Sequence, residues 1–437
     1  MFLALAIVLG GGGTPNPASE LALELLAVLT ALAWVWLPRA GQPPLPRDPL
    51  AWAVMGLVVL VPLAQLIPLP PRVWTALPGR ETQVSALALV GAADSWRPLS
   101  TSPSHTLASL LSLGPPLLML AMAATLDSRQ RRWLIATVAL MTLVSALFGA
   151  LQLAGGNDAV RLYNASNQLV VTGFQANRNA EADVLLVGVL ALAALSVALP
   201  GAWNMRGRRT RSRWLAAVAA LLLLATVLTA SRMGIALIAV ALLGAGAILA
   251  QDPDRRWGGS LGRVAGAGLA LLAAGLVLLQ SNARLQAVAA RFGLQHEGRA
   301  ELWSDSGYVV AQYWPFGSGM GTFMANFIAA EPLEVVDATV PNRAHNDFLE
   351  LTIEAGAFGI AALAVVIALL LAMAFLAWRR RPQDRAQVLF GVAVLLVIGL
   401  HSLVDYPLRS MALACLAALG AAMFARPPAP AAERHPA

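Results

Sequence analysis

Residues 341–378 read PNRAHNDFLELTIEAGAFGIAALAVVIALLLAMAFLAW and join a polar segment to a long apolar one. From Ala357 onward it is an uninterrupted apolar run, about as long as the roughly 20 residues that a membrane-spanning helix needs. The part before Ala357 gathers a histidine, an arginine, two asparagines and three carboxylates. Polar groups at a membrane boundary cost free energy, so a cluster of this kind is a hypothesis for a functional site.

The whole chain shares this apolar character. Of its 437 residues, 58% are hydrophobic and 12% are charged, whereas soluble domains carry about 25% charged residues. Apolar runs of spanning or nearly spanning length occupy residues 2–13, 19–37, 50–67, 106–126, 133–154, 182–199, 214–230, 233–250, 264–279, 348–378, 386–403 and 411–425. The pattern predicts an all-α integral membrane protein with about 12 transmembrane helices. They form a single polytopic domain over residues 1–425.

Two of these runs need comment. The first is short, which leaves the number of spans at about 11 or 12. Residues 214–250 would form a helix of about 55 Å if they were continuous, because each residue adds about 1.5 Å. We therefore predict a hairpin that turns at residues 229–234.

Basic residues mark one side of the predicted spans. Their clusters lie at residues 39–47, 129–132, 206–213, 255–263, 379–385 and from 426 onward. If the spans alternate, all of these fall on the side that the positive-inside rule identifies as the cytoplasm. Both termini are then cytoplasmic, residues 426–437 form a disordered tail, and residues 281–345 form a long periplasmic loop with interfacial helices. Topology thus accounts for the net charge of +7, and no nucleic-acid partner is expected.

His345 is the candidate proton acceptor, because a histidine titrates at about 6.5 in the absence of perturbation. A purely structural or interfacial histidine is the alternative. If a helix begins at Ala344, then Asp347, Glu350 and Glu354 share one face, roughly opposite the histidine. If the helix begins only at Asn346, the histidine lies before it. In the first arrangement at least one carboxylate is expected to pair with a basic residue elsewhere.

Four further candidate residues lie on the predicted outer side, three of them at the ends of apolar runs and Arg299 within the long external loop. Arg232 has no acidic neighbour in sequence, so it either meets an anionic ligand or extends to interfacial water. Arg299 is flanked by glutamates and either binds a ligand or forms local ion pairs on a solvated helix. Asn177 and Asn179 precede a span, where they either cap the helix or contact a ligand.

Other patterns bear on metals and cofactors. Cys415, the single cysteine, lies in an apolar run, so neither a disulfide nor a cysteine-based metal site is predicted. His401 and Asp405 lie four residues apart, but no further ligand pattern supports a metal site, and a supporting or turn-forming role for Asp405 is preferred. No Walker A, Rossmann or GxSxG pattern is present. We therefore predict no metal, no cofactor and no nucleotide.

Several short motifs together resemble the signature of a known family. They are RAHNDFLE at 343–350 with EAG at 354–356, TASR at 229–232, GRAELW at 298–303 followed by PFG at 315–317 and GMG at 319–321, NRN at 177–179, and HSLVD at 401–405. In this order, over roughly residues 100–425, they are similar to the O-antigen ligase and polymerase superfamily of bacterial membrane proteins. The short first run and Met233, where relatives often have glycine, depart from the pattern.

The resemblance implies a C-type glycosyltransferase-like fold. It implies metal-independent transfer of a glycan from undecaprenyl diphosphate to an acceptor hydroxyl, at the periplasmic face of the bacterial inner membrane. Arg232 and Arg299 would bind the donor diphosphate, and His345 would deprotonate the acceptor or assist the diphosphate. The substrate-binding residues expected by the same resemblance are Arg343, Asn346, Asn177, Asn179 and Asp405. In-line attack with inversion at the anomeric carbon is the predicted mechanism.

The acceptor is left open by these motifs. A ligase that uses lipid A-core is slightly favoured over a polymerase that extends a growing glycan, and protein glycosylation ranks third. Two other classes are a transporter of lipid-linked glycan and a scaffold without chemistry. Transporters tend to place ionisable residues near the bilayer midplane, whereas here these residues lie near the predicted outer face. The expected partners are therefore the lipid-linked donor, the acceptor and membrane lipid.

Overall fold

The computed structural model describes residues 1–12, 17–37, 45–156, 160–163, 166–167, 169–198, 205–252, 298–331 and 341–428. These ranges are predominantly helical, and one antiparallel pair of two-residue strands joins β1 (Pro68–Leu69) to β2 (Arg97–Pro98). The helices are α1 (Phe2–Leu9), α2 (Pro17–Trp36), α3 (Pro49–Gln65), α4 (Pro71–Trp74), α5 (Glu81–Leu89), α6 (Pro103–Ser112), α7 (Gly114–Ala124), α8 (Ser128–Gly155), α9 (Arg178–Ala198), α10 (Met205–Leu228), α11 (Arg232–Leu249), α12 (Arg299–Tyr313), α13 (Phe323–Ala330), α14 (Asp347–Arg380), α15 (Arg385–His401) and α16 (Met411–Ala422). Short 3₁₀ turns cover Pro382–Asp384 and Pro407–Arg409.

Many of these helices are apolar enough to cross a membrane. Within the described ranges, seven segments are long enough as well: Ala18–Trp36, Pro103–Ala124, Ser128–Gly155, Arg178–Val197, Arg232–Leu249, Asp347–Arg380 and Pro382–His401. Shorter apolar helices cover Pro49–Gln65, Ser212–Leu228 and Met411–Ala422. The all-α membrane class is therefore confirmed. The count of about 12 spans stays a prediction, because the run at 264–279 lies outside the described residues.

The predicted hairpin is present, since α10 ends at Leu228 and α11 begins at Arg232. Between them Ala230 adopts a left-handed φ of 55°, which reverses the chain. The predicted span at 106–126 is divided into α6 and α7 at residue 113. Of the predicted basic clusters, 255–263 and most of 39–47 lie outside the described residues, as does most of the predicted tail.

Helix α9 forms the centre of the molecule. It packs against α8, α10, α11 and α15, and every residue from 180 to 194 is buried. A helix that is covered on all sides needs apolar residues around its whole circumference, and residues 184–194 have them. Small residues permit close packing, as where Gly234 of α11 meets Ala182. The N-terminal end of α9, which carries Asn177 and Asn179, therefore lies near the start of α11 and the segment after α15.

At the opposite end of the helices, two buried arginines bind the last carbonyl groups of α7 and of the segment after α16. Arg131 donates to the carbonyls of Ala123, 3.2 Å, and Ala425, 2.9 Å. Arg381 donates to the carbonyl of Phe424, 2.9 Å. Cations are favourable at helix C-termini, where carbonyl groups lack partners. The basic clusters 129–132 and 379–385 thus lie at one end of the bundle.

Helix α14 is interrupted at Gly356, where φ is 55° and ψ is −149°. The interruption leaves the carbonyl of Glu354 free to accept hydrogen bonds from the Gly319 N–H, 2.8 Å, and from Gln65 Nε2, 2.8 Å. A Cβ atom at Gly356 would collide with the carbonyl of Pro315. The polar first turns of α14 are thus fastened to the segment 315–319 and separated from the apolar remainder of the helix.

Candidate active site

His345 lies just before α14 and is not part of it. The helix begins at Asp347, and the Asn346 side chain caps it by accepting hydrogen bonds from the N–H groups of Phe348 and Leu349, both at 3.0 Å. The second of the two predicted geometries is therefore the observed one. His345 itself has a φ of 49°, a left-handed conformation that costs a non-glycine residue about 1–2 kcal/mol.

Hydrogen bonds on both sides of His345 maintain this conformation. The Ala344 N–H donates to the Glu350 carboxylate, 3.1 Å, and the Ala344 carbonyl accepts from Trp303 Nε1, 2.9 Å. On the other side, the Asp347 N–H donates to the carbonyl of Asp405, 3.2 Å. Helices α12 and α14 and the segment after α15 therefore fix the position of the imidazole together. Strained residues held in this way are concentrated at functional sites.

The ring of His345 is oriented by Asp405. Nδ1 lies 3.0 Å from Asp405 Oδ1, and the edge of the Tyr406 ring contacts the imidazole at a centroid distance of 5.0 Å. The His345 side chain is 29% exposed and that of Asp405 only 4%. An ionised carboxylate can only accept, so Nδ1 carries the proton and Nε2 is left as a basic nitrogen. A general base is oriented by a carboxylate in the same way in hydrolytic triads.

Asp405 is held by two asparagines at the start of α9. Asn179 Nδ2 donates to Oδ2 at 2.5 Å and Asn177 Nδ2 at 3.4 Å. Burial raises the pKa of Asp405, but the hydrogen bond and charge of His345, together with His401 and the Asn179 amide, outweigh it, so the pKa lies below its usual range. Asp405 is thus a carboxylate at neutral pH. Asn177 also caps α9, because its Oδ1 accepts from the Asn179 N–H, 2.8 Å.

The three carboxylates in the first turns of α14, those of Asp347, Glu350 and Glu354, all contact Arg409. Arg409 lies 2.7 Å from Glu354, 3.1 Å from Glu350 and 3.9 Å from Asp347. Burial lowers the pKa of Arg409, but the three carboxylates outweigh it and raise the pKa above its usual value. A carboxylate that pairs with a basic residue elsewhere was expected for a helix that begins at Ala344; the pairing is present although the helix begins at Asp347. The cluster fixes the turn that carries Asp405 against α14.

Arg343 belongs to the same network. It pairs with Glu350 at 2.9 Å, and its side chain is 23% exposed. Glu350 therefore lies between two half-buried arginines, Arg409 at 16% exposure and Arg343 at 23%. This position leaves part of the Arg343 guanidinium accessible, so its predicted substrate-binding role stays a prediction. Asn346 has the observed role of a helix cap, and substrate binding by it is likewise untested.

Arg232 is the first residue of α11. Its helix is capped by Ser231, whose Oγ accepts from the Gly234 N–H, 3.1 Å. Because Gly234 packs against Ala182, near the start of α9, Arg232 lies at the same end of the bundle as Asn179. The structure thus places Arg232 at the end of the molecule that carries His345, Asp405, Asn177 and Asn179, which we call the His345 cluster.

Arg299 opens α12 at that end as well. One turn later on the same helix, Trp303 donates its Nε1 hydrogen to the carbonyl of Ala344, next to His345. Arg299 is also near enough to His401 to interact with it electrostatically. Direct hydrogen bonds bring together His345, Asp405, Asn177 and Asn179. Arg232 and Arg299 each begin a helix at the same end of the bundle.

Three contributors were missed by the sequence analysis: Asp183, Tyr406 and Arg409. Asp183 lies inside an apolar run, and an ionisable residue in such a run is a signal that could have found it. Tyr406 and Arg409 follow Asp405 closely and gave no signal of their own. Among the residues that the structure describes, no group of three or more His, Cys, Asp or Glu side chains could hold a metal ion.

The fold and the site define a polytopic all-α membrane protein with a polar, histidine-containing centre at one end of its helices. Residues 215–364 match the family model described as O-antigen ligase. This match confirms the predicted resemblance to the O-antigen ligase and polymerase superfamily over residues 215–364. The match includes Arg232, Arg299 and His345 and ends before Asp405. No curated protein matches the chain.

Proposed function

We propose that the protein is a glycosyltransferase that moves a glycan from undecaprenyl diphosphate to an acceptor hydroxyl at the periplasmic face of the inner membrane. One observation carries this proposal above the others. The His345–Asp405 pair, a base with an orienting carboxylate, lies at the end of the bundle where Arg232 and Arg299 each begin a helix. The single polytopic domain, with the segment 281–345 on the periplasmic side, is part of the proposal.

The proton chemistry follows from the geometry of His345. The acceptor hydroxyl approaches Nε2, which takes its proton while the oxygen attacks the anomeric carbon of the donor glycan. The bond between that carbon and the diphosphate oxygen breaks, and its electron pair remains on the diphosphate. The configuration of the carbon inverts in this single displacement. The positive charge that forms on His345 is stabilised by Asp405, 3.0 Å from Nδ1.

The arginines suit the other half of the reaction. A guanidinium group can bind two phosphate oxygens at once and stays charged at every physiological pH. Arg232 is the first residue of its helix, where the helix dipole also favours an anion. Negative charge that develops on the leaving diphosphate is therefore stabilised where it appears. A donor that is anchored in the membrane by its lipid would present its diphosphate at this level.

Ligase activity towards lipid A-core is the form that we favour, with a polymerase as the alternative. The test uses purified protein in nanodiscs with a glycan linked to undecaprenyl diphosphate and either lipid A-core or free lipid-linked glycan as acceptor. Transfer to lipid A-core identifies a ligase, and extension of the lipid-linked glycan identifies a polymerase. Movement of donor between leaflets without a new glycosidic bond would identify a transporter instead. A product that retains the donor configuration would contradict the inverting step.

The site residues are tested in the same assay. His345→Ala, Arg232→Ala and Arg299→Ala are each expected to lower turnover by about 10²–10⁴-fold, the usual contribution of a general base or of a positioned cation. Arg72→Ala is the matched control, because Arg72 is exposed and lies on α4. Full activity in both His345→Ala and Arg232→Ala would overturn the assignment of the site.

A further inference from the structure

A second histidine–aspartate pair lies deeper in the bundle, behind Asp405. His401, the last residue of α15, places Nδ1 at 2.7 Å from Oδ1 of Asp183 on α9. The side chains are 1% and 0% exposed. Nδ1 donates to the carboxylate, so Nε2 of His401 and Oδ2 of Asp183 are the remaining polar atoms of the pair. Neither has a hydrogen-bond partner among the protein groups that the structure describes.

Both residues of this inner pair line a small cavity, and Asp405 and Tyr406 line it as well. Asn177 and Asn179, which hold Asp405, also belong to the lining. A buried polar group without a partner is unfavourable, and an ordered water commonly supplies the partner where several polar groups converge. Here His401 and Asp183, whose Nε2 and Oδ2 atoms lack partners among the described residues, line the same cavity as Asp405.

We propose that this cavity holds an ordered water that links His401 Nε2 to the carboxylate of Asp405, and that the inner pair thereby positions the catalytic histidine. The inference rests on the proposed function, in which His345 is the base. The resulting chain of contacts runs Asp183, His401, water, Asp405, His345. His401 and Asp405 are rigidly related, because the Asp405 N–H donates to the His401 carbonyl at 3.0 Å, within one helical turn.

The inner pair does not touch substrate, so its effect passes through Asp405. Oδ2 of Asp405 is occupied by Asn179, and Oδ1 accepts from His345. A water on the inner side of the carboxylate would complete its hydrogen bonding and hold Oδ1 in line with Nδ1 of His345. When that support is lost, Asp405 can rotate, and the His345 ring loses the partner that selects its tautomer.

The first test is a structure of the wild-type protein at a resolution that shows waters. A peak within about 3 Å of both His401 Nε2 and the Asp405 carboxylate is expected. No peak there would overturn the proposal. A peak with the several short oxygen contacts of a metal cation would overturn it as well, because the proposed occupant is water.

The second test compares His401→Gln and Asp183→Asn with Ile398→Val, a conservative change at a buried position of α15 outside the cavity lining. Both pair variants are expected to lower kcat about tenfold, the size expected of coupling through a packed network, with the KM for the donor unchanged. In histidine-labelled protein, the NMR signal of the His345 Nδ1–H tautomer should weaken in both variants and remain in Ile398→Val. Wild-type kcat and tautomer signal in folded pair variants would overturn the proposal.

These outcomes separate the inference from the proposed function. If the wild type transfers no glycan, the proposed function fails. The density map of the wild type and the NMR tautomer signal still show whether the inner pair orders His345. Thermal unfolding shows whether each variant is folded. If His401→Gln does not fold, Asp183→Asn and the wild-type map decide the question.

Discussion

At the scale of single residues, Asp405 determines what His345 can do. The aspartate accepts the Nδ1 hydrogen of the imidazole and is itself held by two amides, so the basic Nε2 atom points away from the protein interior. A histidine whose ring could rotate freely would present either nitrogen. The proposed catalytic function of His345 therefore depends on a residue 60 positions away in sequence.

Replacement of this aspartate tests that dependence. Asp405→Asn keeps the shape of the side chain, but the amide can donate to Nδ1 and so favours the wrong tautomer. We expect transfer to fall by about 10³–10⁴-fold, since the equivalent change in a serine-protease triad costs about 10⁴-fold. The measurement is kcat in the nanodisc assay. Asp94→Asn, at an exposed carboxylate, is the control, and equal activity of the two variants would contradict the role of Asp405.

The lowered pKa of Asp405 also predicts a pH dependence of stability. The unfolded chain binds this proton at a pKa of about 3.9, and the folded chain binds it only at lower pH. The stabilisation is therefore complete above about pH 4 and is lost as the pH falls through the folded-state pKa. The difference in unfolding temperature between wild type and Asp405→Asn should narrow as the pH is lowered from about 6 to 3. A difference that widens on acidification would contradict the sign of the shift.

Residue types that carry chemistry could be recognised in the sequence, but their partners could not. His345 stood out because of its imidazole and its motif, and Asn177 because asparagine is a common helix cap. The contact of Asn177 with Asp405 spans 228 positions and depends on how α9 and the end of α15 are placed together. Arg409 gave no signal because it meets its three carboxylate partners only when the turn after α15 packs against α14. Local chemistry was thus predictable, and pairing across helices was not.

At the scale of elements, Arg409 joins the turn after α15 to the first turns of α14. Arg409→Met would leave three buried carboxylates without their common partner, which costs about 3–5 kcal/mol in comparable buried clusters. We expect a loss of unfolding free energy of this size, measured in detergent. Arg380→Met, at an exposed arginine near the other end of α14, should cost less than about 1 kcal/mol. Equal losses in the two variants would show that the cluster contributes no special stability.

The interruption of α14 makes a second prediction at this scale. Gly356→Ala would place a side chain in a backbone region nearly restricted to glycine, at a cost of about 1–3 kcal/mol, and would also collide with the carbonyl of Pro315. We expect a lower unfolding temperature together with reduced activity, because the segment 315–319 is fastened at the interruption. Gly399→Ala is the matched control, since its position in α15 is open and helical. A neutral Gly356→Ala would mean that the interruption is not required.

Element boundaries were predictable where the sequence carried a local stop. The hairpin at 229–234 followed from the length of the apolar run, and the interruption between α10 and α11 confirms it. The break between α6 and α7 was not predicted, because the apolar run continues through it and only Gly114 and the prolines after it gave a weak signal. The interruption at Gly356 depends on hydrogen bonds from distant loops, which no local pattern reveals.

At the scale of the whole molecule, the two ends of the bundle differ in chemistry. One end carries the His345 cluster beside the segments 68–102 and 298–331, which join where the Thr101 N–H donates to the Ser318 carbonyl, 2.8 Å. The other end carries Arg131 and Arg381, bound to helix carbonyls. This second end also carries the basic clusters 129–132 and 379–385, and the positive-inside rule uses such basic segments to orient a membrane protein.

This difference predicts the orientation in the membrane. In a Cys415→Ala background, Asp94→Cys should react with a membrane-impermeant maleimide added to spheroplasts, and Arg380→Cys should react only after lysis. The background is suitable because Cys415 is buried and each introduced thiol lies at an exposed position. Reaction of Arg380→Cys in intact spheroplasts would reverse the proposed orientation and move the site to the cytoplasm.

The contacts of Asp405 also bear on how the protein is made. A ribosome delivers Asn179 first, His345 about 160 codons later and Asp405 after another 60, and the carbonyl of Gly10 finally accepts from the Ala412 N–H, 3.0 Å. Until the last of these segments has entered the membrane, the nascent chain contains the histidine without its orienting carboxylate. The growing polypeptide is therefore expected to be inactive in the proposed glycan transfer until synthesis has passed residue 405.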